Sequence, residues 1–295
     1  MMLKNAPTSH VYFSQRLRLH YVDWGNSDAP TMLLVHGGRD HCRNWDWVAE
    51  NLRSDYHIIA PDLRGHGDSQ WNIGGAYTTI DYVYDIAQLL FQTTTKPVTI
   101  IGHSLGGAVS LTYAGLYPET VDRIISIEGM GPIPRTLQES SESTSSKVTN
   151  WIGNLRKLSA RLPKRYETLE DAYHRMQNEN PHLTSEQARH LTVHGSNQNE
   201  DGTFSWKFDN YVRTFPPIGL TPDETYELYS RIVSPTLLIY GKESWASKDS
   251  GNSQSRYFQD ATTELINDAG HWVHHDQLEE FLATVRAFLN LNKPA

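Results

Sequence analysis

One stretch restricts the possible folds more than any other. It is Val98-Thr99-Ile100-Ile101-Gly102-His103-Ser104-Leu105-Gly106-Gly107. The β-branched run, bounded by Pro97, reads as a buried strand. Ala108 to Tyr117 is apolar at helical spacing and stops at Pro118. Between them lies Gly-His-Ser-Leu-Gly. A strand, a Gly-x-Ser-x-Gly turn and a helix make a nucleophile elbow. The turn is so tight that the serine's neighbours must be small, and the serine itself takes a strained backbone conformation. Its hydroxyl then stands clear at the top of the sheet. Beneath it is a helix N-terminus, whose positive end favours developing negative charge.

An elbow of this kind needs a sheet around it, and the chain supplies one. Val11 to Phe13 and Leu17 to Trp24 read as an opening hairpin at a sheet edge. Thr31 to Val35 is a continuous apolar run, as expected of a central strand covered on both faces. Tyr56 to Ala60, Val121 to Ile127, Val233 to Gly241 and Thr263 to Ile266 supply further strands. Trp45 to Leu52 has helical spacing, and its tryptophans read as core. Ile80 to Leu90 reads as a helix capped by Thr79, and a terminal helix runs from about Asp276 to Leu289. The alternation is that of an α/β protein. It lapses between Pro132 and Arg231, where Trp151 to Leu158, Leu169 to Met176 and Ser185 to Leu191 read as helices. Ser140 to Ser146 is serine-rich and reads as a mobile stretch, and the aromatic and charged run Trp206 to Asp209 as packing. The expected organisation is a core of residues 1–131 and 232–295 with a helical cap inserted over 132–231.

With 295 residues the chain has room for one large domain and an insertion. A net charge of −8 without a basic stripe argues against nucleic acid as a partner. Cys42 is the sole cysteine, so neither an internal disulfide nor a cysteine-based zinc cluster is available. No run is apolar for long enough to span a bilayer, and Met1 to Phe13 does not read as a signal peptide. The expectation is a cytoplasmic protein, monomer or homodimer, acting on a small ester-like molecule away from membranes.

An acyl-transfer site also needs two backbone N–H groups aimed at an oxyanion. Leu105, after the serine, supplies one. The loop His36-Gly37-Gly38-Arg39-Asp40, after the central strand, supplies the other, assigned to Gly38. The loop Asp62 to Ser69 reads as a tight turn braced by Asp62 and Arg64, with His66 given no catalytic part.

Four segments in order, His36-Gly37-Gly38, Asp62-Leu63-Arg64-Gly65-His66-Gly67-Asp68-Ser69, Gly102 to Gly107 and Gly270-His271-Trp272, resemble the α/β-hydrolase superfamily. The resemblance covers nearly the whole chain. It implies the α/β-hydrolase fold, an eight-stranded and mostly parallel sheet flanked by helices, with a helical cap after the sixth strand. It also implies a Ser–His–acid triad with no metal and no organic cofactor. The cap-bearing epoxide hydrolases and haloalkane dehalogenases are similar, but they use an aspartate nucleophile. Ser104 at that position turns the chemistry to acyl transfer.

By this resemblance Ser104 is the nucleophile and His271 the base. His274 and His275 follow, and read as surface-helix residues rather than metal ligands. The superfamily's usual acid lies three residues after the glycine ending the penultimate strand. Here that glycine is Gly241 and the position holds Ser244, which cannot act as a carboxylate. Glu128, at the end of the Val121–Ile127 strand, has the place that some haloalkane dehalogenases use. Glu128 is therefore taken as the acid, with Asp249 and Glu243 as alternatives. The expected activity is carboxylic ester hydrolysis. Lactone, thioester or C–C bond hydrolysis, perhydrolysis, or a weakly catalytic ligand receptor are the alternatives, because fold and triad do not choose among them.

Overall fold

The apolar runs form strands with almost no exposed face. In the computed structural model, which describes residues 6–130, 142–249 and 255–291, β3 (Thr31–Val35), β5 (Val98–His103) and β9 (Thr236–Gly241) are buried along their length apart from Thr31. They belong to one eight-stranded sheet of order β1-β2-β4-β3-β5-β6-β9-β10. The remaining members are β1 (Thr8–Ser14), β2 (Leu17–Asp23), β4 (His57–Pro61), β6 (Val121–Ile127) and β10 (Ala261–Ile266). The β1–β2 hairpin and its joint to β4 are antiparallel, and every pairing from β4 to β10 is parallel. This is the mostly parallel sheet expected.

Successive side chains of a strand face opposite ways, so one strand feeds two cores. Leu33 and Val35 join Ile86, Leu89, Val109 and Leu111 on one face. These come from α2 (Thr79–Thr93) and α3 (Leu105–Leu116). Met32 and Leu34 join Trp45, Val48, Leu52, Phe281 and Val285 on the other. Most of these lie on α1 (Asp46–Leu52) and the terminal helix. Each such side chain contributes about 1.5–3 kcal/mol by leaving water. The cap of α2 is Thr78 rather than Thr79. Only Thr78 has an acid three residues on, and Thr78 and Asp81 exchange both bonds of a capping box. The terminal helix breaks at Gln277 into α8 (Val273–Asp276) and α9 (Leu278–Phe288).

β6 and β9 pair directly, so the hundred residues between them leave the sheet and return beside it. The helices α4 (Thr144–Ser159), α5 (Leu169–Glu179), α6 (Ser185–Gly195) and α7 (Pro222–Ser230) lie in this insert. The insert is mostly, but not wholly, helical. An antiparallel ribbon joins β7 (Ser196–Gln198) and β8 (Phe204–Trp206), closed by a turn in which Gly202 has φ +83°. A residue with a Cβ would be strained there. Part of the serine-rich stretch is helical: Ser143 caps α4 by accepting the Ser146 N–H. Ser140, Ser141 and the expected boundary at 131–132 lie outside the described residues. The insert has a small core of its own, Leu183, Ala188 and Leu191, against which Trp272 of the sheet domain packs. Among the described residues no helix is long and apolar enough to cross a membrane.

Candidate active site

The elbow forms at the carboxyl end of β5. Ser104 has φ +50° and ψ −115°, a conformation that side chains other than glycine rarely adopt. Two features hold it. Its N–H donates to the Ile127 carbonyl at 2.8 Å, tying it to the end of β6. Its flanks leave no room to relax, since a Cβ on Gly106 would lie 2.3 Å from the Val35 carbonyl oxygen. Leu105 opens α3, and the N–H at the first position of a helix has no acceptor within that helix. Gly38, on the loop after β3, faces it: a Cβ added there would be 3.9 Å from a Leu105 methyl carbon. The two proposed oxyanion donors thus come from the start of α3 and from the loop after β3, brought side by side.

Glu128 and His271, the expected acid and base, approach from the end of β6 and from the loop after β10. Glu128 caps β6 with φ +51°, and its buried carboxylate is held at both oxygens. Oε1 accepts the Gly241 N–H at 2.9 Å, and Oε2 accepts the Ser244 hydroxyl at 2.5 Å. Oε2 also lies 2.6 Å from Nδ1 of His271. A carboxylate only accepts, so the proton of a neutral His271 resides on Nδ1, and Nε2 keeps its lone pair. The ring stacks on Trp245 with centroids 5.3 Å apart. The His271 carbonyl accepts Nε2–H of His103 at 2.9 Å. Burial, with His271 nearby, holds the His103 pKa well below the usual histidine value, so His103 is a neutral strut.

Ser104, Leu105, Gly38 and His271 line one cavity of about 1060 Å³. The insert adds Tyr166, Trp206, Phe208 and Phe215 to its lining. Trp206 and Phe208 were expected only to pack; they do pack, and they also face this cavity. Lys207 between them pairs with Asp68 at 2.8 Å, and Asp209 accepts the Tyr77 hydroxyl.

Glu243 is half exposed and lies 3.4 Å from His182. Asp249 ends a 3-10 turn, and its side chain lies outside the described residues. The Asp62 loop is braced as expected: Asp62 accepts the N–H groups of Cys42 and Asp68, and Arg64 pairs through two nitrogens with Asp85. His66 is buried against the Arg64 carbonyl, apart from the cavity. His274 and His275 are not surface residues. Both are buried, with His274 bound to Asn44 at 2.7 Å.

Among the described residues, two groups bring three metal-ligating atoms together: His20, Cys42 and Asp62, and Asp46, His190 and His194. In each the carboxylate already serves protein donors, Asp62 as above and Asp46 through Arg43. Sequence reasoning missed two residues. Ser244 was noted only as a missing acid, and its hydroxyl beside Gly241 was the available signal for a donor. His103 was read only as part of the turn.

A family model described as alpha/beta hydrolase fold matches residues 30–278. A probable serine hydrolase of Drosophila melanogaster is 33% identical over 131 residues, 44% of this chain and 40% of that relative. An esterase of Mycobacterium tuberculosis is 24% identical over 290 residues, covering 97% of this chain and 91% of the esterase. Among solved structures, a thioesterase domain from the curacin biosynthetic pathway superposes with a TM-score of 0.82 at 24% identity, over 95% of this chain and 99% of that domain.

Proposed function

The chain belongs to the alpha/beta hydrolase fold family, and from that premise we propose that it is a serine hydrolase cleaving carboxylic esters through an acyl-enzyme on Ser104. The observation that carries this reading is the 2.6 Å contact between Glu128 and His271 at the cavity that Ser104 lines. It is the pairing that a serine nucleophile requires. His271 takes the Ser104 proton as Oγ attacks the acyl carbon. The N–H groups of Gly38 and Leu105 receive the oxyanion, with the N-terminus of α3 behind them. His271 then protonates the leaving alcohol, and activates the water that releases the acid. Glu128 holds the imidazole and stabilises its charged form. The insert over 132–231 acts as a cap, lining the acyl or alcohol pocket and excluding water. The relatives named serine hydrolase and esterase support an ester substrate. A thioester is the second reading, favoured by the thioesterase domain among the structural neighbours. With serine in the nucleophile position, an alkyl-enzyme route to epoxides or haloalkanes is disfavoured.

The test is turnover of p-nitrophenyl acetate, butyrate and octanoate by wild type and Ser104→Ala. Repeated turnover by wild type, lost in Ser104→Ala, is expected. Wild type that turns over none of the three would overturn the ester reading.

A further inference from the structure

We propose that the substrate carries an anionic group, a carboxylate or a phosphate, which Arg39 and Arg213 bind close to the scissile carbonyl. This deepens the ester-hydrolase reading and rests on it. The chain is acidic overall, with a net charge of −8. Yet Arg39, Lys164, Arg175 and Arg213 all line the cavity that holds Ser104 and His271. Arg175 is neutralised by Glu179 one turn along its own helix. Lys164 rests over the Tyr166 ring, its nitrogen 4.8 Å from the centroid. Among the described residues neither Arg39 nor Arg213 forms an ion pair with an acidic side chain.

One arginine belongs to the sheet domain and the other to the insert. Arg39 follows Gly38 and is held at φ +66°, a left-handed conformation uncommon for a residue with a Cβ. Its side chain therefore starts one residue from the proposed oxyanion hole. Arg213 ends a 3-10 turn of the insert, with its guanidinium 5.2 Å from the Phe208 ring centroid. Desolvation, and then the positive charge of Arg39, lowers the Arg213 pKa. The acidic group that acts on it in return is Glu179, already engaged by Arg175. On the His271 side, Asp276 accepts the Gly270 N–H at 2.8 Å, and burial pushes its carboxyl up to about 6. His182 there lies 3.4 Å from Glu243.

Arg39 and Arg213 share this cavity with Glu179 and Asp276, but among the described residues neither arginine is ion-paired, so an entering anion meets two guanidinium groups whose mutual repulsion it relieves. A guanidinium fork matches carboxylate or phosphate oxygens in a way that an isolated ammonium does not. An anion between Arg39 and Arg213 would also tie the insert to the sheet domain, orienting the ester against Gly38.

The experiment compares monomethyl glutarate with dimethyl glutarate in a pH-stat, using wild type, Arg39→Gln and Arg213→Gln. Wild type should favour the half-ester in kcat/KM. Each substitution should reduce that preference about tenfold, as should added salt in part. A preference unchanged in both variants overturns the proposal. If wild type hydrolyses neither ester, the ester reading fails and the anion site is judged separately. Glutarate and inorganic phosphate are then titrated calorimetrically into wild type and Arg213→Gln, with thermal melts to establish that the variant is folded. Binding of either anion, weakened about tenfold by Arg213→Gln, supports the site. The tighter of the two identifies a carboxylate or a phosphate. Binding of neither, or binding indifferent to Arg213→Gln, overturns it.

Discussion

Ser104, Glu128 and Gly38 stand at the ends of strands whose residues are almost all buried, whereas α4, in the insert, buries none of its sixteen residues. The sheet end is pinned by backbone. Ser104 N–H is bonded to Ile127, Glu128 N–H to Ile239, and Glu128 Oε1 to Gly241 N–H. Three neighbouring parallel strands therefore set the distances among the reacting groups. The insert meets the cavity through Tyr166, Trp206, Phe208 and Arg213, and among the described residues its own core is only three buried apolar residues, Leu183, Ala188 and Leu191. The lesson is a division of labour. On the proposed reading, reaction geometry is written into the sheet, where little can move, and substrate choice into a surface that can be altered residue by residue.

The largest way to break this contrast is acid. His36, His41, His66, His103, His274 and His275 are all buried in the sheet domain, and burial lowers each pKa, to about 4 for His36 and His41 and about 3 for His66 and His275. The unfolded chain binds these protons near pH 6.5, and the folded chain does not. Stability is therefore full above about pH 6.5 and is lost as pH falls toward 4, by about 1–2 kcal/mol per histidine at pH 5. Asp40, pushed up to about 8, and Asp276, up to about 6, work in the opposite direction. The six histidines outweigh them. Urea midpoints from pH 7.5 to 5 should fall steeply, and a flat profile would contradict this account.

Gly37→Ala comes next. A Cβ there would lie 2.7 Å from His103 Nδ1 and 3.3 Å from the Ser104 Cβ. Displacing either by a fraction of an ångström should lower kcat about 10²-fold on every ester. Ser244→Ala removes one donor to Glu128 while leaving Gly241 and His271, and should lower kcat about tenfold with KM unchanged. The smallest effect on chemistry belongs to the insert. Trp206→Ala should alter the ratio of octanoate to acetate turnover while changing kcat on acetate by no more than about threefold. A uniform loss across chain lengths would erase the distinction between sheet and insert.

The sheet was readable because its central strands obey a single rule: β3, β5 and β9 each carry an unbroken apolar run, Met32–Val35, Ile100–Ile101 and Leu237–Tyr240, as a strand covered on both faces does. The elbow was readable because its sterics admit few residue types. The insert was harder because its elements are short and amphipathic. The three-residue strands β7 and β8 are too brief to show a period, and their pairing rests on the Gly202 turn. Ser244 was legible as an anomaly but not as a donor, since the hydrogen bond joins residues 116 apart in the chain. His274 and His275 escaped for a related reason. Polar type suggested a surface, while packing against Trp45 and Trp47 buries them.

The central claim is that the acid has moved to the end of β6, leaving a hydroxyl in its usual place. It is tested most directly by kcat on p-nitrophenyl butyrate for Glu128→Gln beside Glu243→Gln and Asp249→Asn. The account predicts a loss of about 10⁴-fold for Glu128→Gln with its melting transition retained, and changes within about threefold for the other two. A mild effect at Glu128, with collapse of activity at Glu243 or Asp249, would contradict it.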